Sequence, residues 1–322
     1  MPARRPVRGT VDQHQVRLVS LTSPSVSRRE VHRHEHRPPR APTGTPPRPA
    51  HRGRRHRARH PAGRLRRRHE SDPVGGRPNP QAGELDLTKV TSLGRAFGEF
   101  NVEKYAALRP GLLVSNMFPP PDLWFVPQES RAKIEPLAPT VGITTARVSL
   151  RQPLRRYAEL AASLGADLDA PHVVRAKERF DRAEATLRAA AADKGGLRVL
   201  AMSADNDQMY VAVPDSYCDL RYFAELGVEF VQGEKVDKWG FWEFLSWENA
   251  GKYPADLIMV DNRSEALTPA ELAEHPTWNR LPAVAAGQIT PWAMEERHSY
   301  AGYAPVLEQL AAAVTKSRRL PA

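Results

Sequence analysis

Cysteine is nearly absent: Cys218 is the single thiol in 322 residues, which excludes an internal disulfide and every metal motif built from several cysteines. Its simplest use is as a small buried apolar residue. No stretch approaches the ~18 consecutive apolar residues of a transmembrane helix. Arg4 and Arg5 are not followed by an apolar segment, so no signal peptide is recognisable. Cys218 also lies too deep in the chain to serve as a lipid-anchor cysteine. Catalytic signatures are lacking too: there is no G-x-S-x-G, no H-E-x-x-H and no Gly-rich loop that would cradle phosphate. Outside the first seventy residues only His172, His275 and His298 remain, far apart in sequence. These absences favour a binding protein over an enzyme.

The excess of basic charge is also missing from most of the chain. Residues 1–70 hold 19 Lys and Arg against 4 Asp and Glu, and the remainder holds 28 against 33. The formal net charge of +10 therefore belongs to the first seventy residues, and the body is mildly acidic. That first segment, rich in Arg, Pro and His, has no hydrophobic period and cannot bury enough apolar surface to offset the entropy of folding, so disorder is expected over 1–70. Clustered arginine would suit a nucleic-acid-binding arm, because it releases counterions from phosphates. The same composition is what GC-rich codons produce when read out of frame, or from a misassigned start. Eight of the eleven histidines fall here without regular ligand spacing.

From Ser71 onward the texture becomes that of an α/β protein. A turn-rich loop leads to a short helix at 101–108, a stop at Pro110, a buried strand at 112–115, a helix near 128–134, a short strand around Val141 and a helix at 154–164. Then comes the longest uninterrupted helical pattern, Pro171 to Asp193. Val173, Ala176, Phe180, Ala183, Leu187 and Ala190 recur at spacings of three and four and so share one face. Asp169 is the expected cap, Pro171 suits a first turn, and Gly195-Gly196 ends the run. At 1.5 Å per residue this helix is roughly 35 Å long.

Beyond it the alternation restarts with strands at 197–202 and 209–213 and a helix at 217–226. A helix is expected in the FWEFLSWENAGKY run ahead of Pro254, followed by a strand at 257–260, helical turns at 269–275, a short strand near 288–290 and a closing helix at 299–314. The expected fold class is α/β, with two small lobes built on parallel-type sheets. The expected organisation is a disordered segment 1–70, a partial first lobe 71–170, a linking helix 171–193 and a second lobe 194–322.

Two stretches echo one another across the long helix. NVEKYAALRPGLLVSN and SWENAGKYPADLIMVDN each carry a Glu at the start of a short helix (Glu103, Glu248), then a Pro (Pro110, Pro254) and an apolar strand ending in Asn or Asp-Asn. With W-x-x-L-P-A-V-x-A-G-Q-I-x-P-W (Trp278 to Trp292), these motifs make residues 75–316 resemble the substrate-binding proteins of ABC importers for iron-siderophores, haem and cobalamin. That resemblance implies two α/β lobes joined by one rigid helix, which limits closure to a small hinge or rocking motion. It also implies an extracytoplasmic, monomeric receptor that needs no cofactor, since the iron is held by the bound siderophore. Its partner would be a membrane permease whose arginines pair with Glu103 and Glu248, and carboxylates meet guanidinium groups bidentately. An acidic residue in a first helical turn is also favoured simply by the helix dipole. The chain departs from the family where the Arg/Pro-rich segment replaces the strand and helix that complete the first lobe. Open sheet edges are expected there.

In α/β folds ligands sit on the loops after strands. By that rule the candidates are Asn116, Met117 and Trp124 from the first lobe, with Tyr210, Trp242, Arg263, Trp292, Arg297 and Tyr300 from the second. Arginine would meet the anionic parts of a ferric siderophore, and Trp and Tyr its flat apolar parts. Arg263 leads this set because it directly follows a predicted strand end. Each Trp or Tyr is equally the kind of residue that fills a core. The alternative function is a nucleic-acid-associated protein using its basic arm; an enzyme related to nitrogenase-type cofactor-binding folds lacks the cysteine ligands.

Overall fold

The computed structural model describes residues 90–94, 99–263 and 266–321. The expected disorder of 1–70 lies outside them. The first lobe begins with α1 (Val102–Ala107), capped where the Asn101 side chain accepts from the Lys104 N–H at 2.7 Å. Two strands follow, β1 (Leu113–Met117) and β2 (Thr140–Thr144), paired in parallel as a two-stranded sheet, with α2 (Arg131–Ile134) between them in sequence. A small core of Leu93, Tyr105, Leu113, Leu123, Val126 and Ile134 holds this lobe together. Then α3 (Arg151–Ser163) leads to α4 (Pro171–Asp193).

The long helix has the predicted bounds, with two differences. Asp169 does not cap it: the N-cap is Ala170, without a side-chain hydrogen bond, and Pro171 alone marks the start. Along its apolar face Phe180, Ala183, Leu187 and Ala190 are buried, with Ala191 beside them, whereas Val173 and Ala176 are only half-buried. At the far end Gly196 adopts φ +79°, a left-handed conformation that favours glycine and turns the chain into the next strand.

The second lobe is a six-stranded sheet: β3 (Arg198–Ala204), β4 (Gln208–Ala212), β5 (Glu229–Phe230), β6 (Trp242–Ser246), β7 (Leu257–Asp261) and β8 (Ile289–Trp292). Its order is β6-β4-β3-β7-β8, with β5 also on β3. β3, β7 and β8 run parallel, but β4 is antiparallel to both β3 and β6, so the sheet is mixed rather than parallel-type. Only residues 205–207 separate β3 from β4, too short a link for a crossover helix. The Asp205 carboxylate tightens that turn by accepting from the N–H groups of Asp207 and Gln208.

FWEFLS is a strand, not a helix. Glu243 and Leu245 point inward and Phe244 and Ser246 outward, a period of two, and only Trp247–Asn249 forms a single 3₁₀ turn. Pairing with β4 decided this over the local pattern.

One face of the sheet is covered by α4, α5 (Cys218–Glu225) and α9 (Tyr300–Lys316); three short helices, α6 (Pro269–Leu272), α7 (Pro276–Asn279) and α8 (Pro282–Ala285), lie on the other side. The two helices α4 and α9 pack along one another, tied at the surface by the fork of Arg179 on Glu308 at 2.6 and 2.8 Å. The lobes meet where Ala146 forms an antiparallel bridge with Tyr217, and the N–H groups of Arg147 and Leu150 donate to the carbonyls of Ser216 and Cys218.

Candidate functional site

At the lobe junction the strand ends converge on a cluster of rings. Phe118, immediately after β1, stacks on Phe241 at 4.6 Å with 29° between planes, and meets Trp124 edge-on at 5.2 Å. From the second lobe Tyr217 sits edge-on to Phe241, Trp242 and Trp292 at 5.5, 5.4 and 5.1 Å. Trp242 continues the cluster to Tyr210 at 6.0 Å. Such offset and edge contacts suit the ring quadrupoles, and they build a broad aromatic wall from both lobes.

Several residues predicted from sequence meet here. Asn116 accepts a hydrogen bond from the Tyr157 hydroxyl, and its carbonyl accepts from the Trp124 N–H at 2.8 Å. Trp124 and Trp242 are half-buried in the ring cluster. Tyr210 donates to Asp205, and burial together with that carboxylate raises its phenol pKa. Trp292 is 0% exposed, with its indole N–H donating to Asp219 at 2.7 Å, so it supports the wall from beneath. Met117 packs against the first-lobe core.

Arg263 follows the end of β7, as expected, but its side chain is only 12% exposed. Its guanidinium grips Asp261 through Nε and Nη2 at 2.9 and 2.7 Å and reaches Glu295 at 3.3 Å, so two carboxylates balance its charge. Tyr300 stands apart from the junction, edge-on to Phe180 with Lys177 over its ring. Arg297 is exposed and bonds Glu296. Glu103 and Glu248 are both exposed, each in the first turn of a short helical segment, one in each lobe. Backbone and Ser246 bonds hold the Glu248 carboxyl below the usual carboxylate range.

The residues missed from sequence are Phe118, Phe241, Tyr217 and Arg147. The last had a signal available: Arg147 stands three residues past the end of β2, where the rule that singled out Arg263 applies equally. Phe118 had the same signal, because it directly follows β1; Tyr217 and Phe241 had none, because they precede an α-helix and an edge strand and read as ordinary core. Among the described residues no group of three or more His, Cys, Asp or Glu is arranged to hold a metal ion, and no helix is long and apolar enough to cross a membrane.

Asp219, beneath the wall, gives the junction a pH signature. Burial pushes its carboxyl from 3.8 up to about 6, against the pull of the Trp292 indole and backbone N–H groups. The folded state therefore binds the proton more tightly between about pH 4 and 6, and stability falls as pH rises through that window, by at most about 3 kcal/mol. Glu243 opposes this only at the acid end: burial works against its ionisation, yet bonds from Lys252, Tyr253 and backbone lower it from 4.5 to about 2, so the stability it contributes is lost as pH falls from about 4.5 to 2. Asp219→Asn, which keeps an acceptor for the indole, is expected to raise Tm at pH 7.5 and flatten the profile between pH 4 and 6. Thermal melts across that range check it, and an unchanged slope would count against the assignment.

Comparison with known proteins agrees with the geometry. A model of the periplasmic binding protein family, Peripla_BP_2, matches residues 71–293. Among solved structures, DesE, a ferric-siderophore receptor protein from Streptomyces coelicolor, is 45% identical, with 78% of this chain and 86% of that one covered at a TM-score of 0.73. The siderophore periplasmic binding protein from the fuscachelin gene cluster of Thermobifida fusca is 23% identical over 71% and 82%, at 0.52. The triscatecholate siderophore binding protein FeuA from Bacillus subtilis is 17% identical over 71% and 78%, at 0.51; these last two likenesses concern the fold alone. A comparison with curated proteins finds no match. With two echoing lobes, a long helix between them in sequence and a family match over more than two thirds of its length, this chain belongs to the periplasmic binding protein family.

Proposed function

We propose that this chain is an extracytoplasmic receptor that captures a ferric siderophore and delivers it to an ABC permease. The observation that carries this reading is its 45% identity to a ferric-siderophore receptor over most of both chains. The lobe junction supplies suitable chemistry: flat rings from both lobes for the carbon framework of a chelate, with Arg147 and Arg263 nearby for its oxygens. The iron is cargo, coordinated by the siderophore, so binding needs no protein ligand to the metal. The ligand contacts are proposed to come from Asn116, Trp124, Tyr210, Trp242 and Arg263, with Arg297, Trp292 and Tyr300 as peripheral or supporting members. Titrating intrinsic Trp fluorescence with a panel of ferric siderophores, haem and cobalamin tests the reading. Saturable quenching by a ferric siderophore at micromolar concentration or below is expected; a folded protein that responds to none of them would remove it.

Docking on the permease is assigned to Glu103 and Glu248, because each is exposed at a helical first turn and they occupy equivalent places in the two lobes. Each carboxylate could take a guanidinium through two charge-assisted bonds. The double variant Glu103→Ala/Glu248→Ala is expected to leave siderophore affinity unchanged and to cut permease-dependent uptake by about tenfold or more. Normal uptake by the double variant would sink the docking assignment while leaving the binding reading intact.

A further inference from the structure

We propose that His275 is a positioning residue for permease docking: by stacking on Trp247 it fixes the turn that carries Glu248. This rests on the docking role assigned to Glu248 and extends it to a second segment of the same lobe. Glu248 is exposed, in the middle of the 3₁₀ turn Trp247–Asn249 that directly follows β6. A single turn of this kind fixes several dihedrals for few hydrogen bonds, so its flanks must hold it. On one flank Trp247 is 9% exposed and belongs to the core that includes Ala250, Leu272 of α6 and Trp278 of α7. Its indole N–H is shared between the carbonyls of Asp205 and Asn206 at 3.2 Å each, which ties one edge of the ring to the turn between β3 and β4. His275 covers a face of that ring, with 4.0 Å between centroids and 19° between planes. On the other flank the Asn249 side-chain amide donates to the Ser246 hydroxyl at 3.0 Å, and the Asn249 carbonyl accepts from the Lys252 N–H at 2.9 Å.

His275 is itself well placed to act as a clamp. It lies between α6 and α7, where its N–H donates to the Leu272 carbonyl at 3.0 Å and its carbonyl accepts from the Asn279 N–H at 3.3 Å. The backbone that presents the imidazole is therefore fixed at both ends. Among the described residues the imidazole makes no hydrogen bond or ion pair, and Trp247 is the ring it stacks on. It is only half-buried, so it closes the rim of the core beside Glu248 rather than filling the interior. Glu103 needs no such clamp, because its turn opens a six-residue helix that Asn101 caps. A carboxylate carried on a turn that is already ordered can meet a guanidinium without losing further backbone freedom, and that saving appears as tighter docking.

The test uses the full chain with His275→Ala, His275→Phe and Glu248→Ala, each expressed at graded levels in cells that lack the wild-type copy and are supplied with radioiron-labelled ferric desferrioxamine. Backbone order at the Glu248 amide is measured on the purified proteins by ¹⁵N relaxation, and siderophore affinity by Trp quenching. His275→Ala should raise the receptor level needed for half-maximal uptake about threefold or more and lower the order parameter at Glu248, with siderophore affinity unchanged. His275→Phe keeps a flat ring over Trp247 and should restore both values. Wild-type uptake in His275→Ala, or an unchanged order parameter at Glu248, overturns the proposal. So does a loss that His275→Phe fails to restore, since the imidazole would then act by something other than stacking. Normal uptake in Glu248→Ala overturns the docking role instead. A wild-type chain that supports uptake of neither this probe nor any other ferric siderophore in the panel overturns the receptor reading itself.

Discussion

Asp256→Ala is expected to lower stability by about 2–4 kcal/mol, the cost of leaving buried hydrogen-bond donors without their acceptor. Asp256 is fully buried and belongs to the P-A-D-L-I motif just before β7. Its carboxylate accepts from the Arg198 N–H at 2.8 Å and from Arg198 Nε and Nη2 at 3.1 and 2.9 Å. It also accepts from the Leu320 N–H at 2.8 Å, so one side chain ties the start of β3 to the end of the chain. These bonds hold its pKa down although burial works to raise it. Losing the carboxylate leaves two backbone donors unpaired, whereas the Arg198 guanidinium is 34% exposed and keeps the Leu320 carbonyl. Chemical denaturation of the variant at neutral pH measures the loss. A change below about 1 kcal/mol would show that water replaces the carboxylate without penalty.

Phe180→Ala should cost a similar amount, about 3–5 kcal/mol, through the cavity left in the helical layer. Phe180 is 0% exposed, parallel to Tyr222 of α5 at 6.0 Å and edge-on to Tyr300 of α9 at 5.3 Å. It therefore binds the middle of α4 to two other helices at once. The neighbouring alanines, Ala183 and Ala190, offer no long side chains that could collapse into the gap. Calorimetry should show the whole loss in the main transition, because α4 and α9 share the core under the sheet. An early, separate transition with the main one unchanged would mean that α4 is held independently of the second lobe.

Both effects were partly visible in the sequence. The three-and-four spacing of Phe180, Ala183, Leu187 and Ala190 marked the buried face of α4, because a helix repeats every 3.6 residues whatever covers it. P-A-D-L-I and the Asn101-to-Pro110 unit marked the echoing lobes, since a stop before an apolar strand is local chemistry. The expected burial of Val173 failed at the start of α4, where the face is only half covered. The expected helix in FWEFLS failed for the opposite reason: a partner strand, β4, set the conformation from thirty residues away.

The sequence by itself determined the α/β class, the long helix and its bounds, and the acidic residue placed at each lobe. All of these rest on periodicity, proline and capping chemistry that act within a few residues. Only the tertiary structure decided the mixed direction of the second sheet, the wall of Phe118, Tyr217, Phe241 and Trp242, and the balance of charge on the two arginines. Arg263 and Arg147 are alike as letters after a strand. Asp261 and Glu295 close on one and a carbonyl on the other, and which of them has its charge balanced depends on neighbours that only folding brings together.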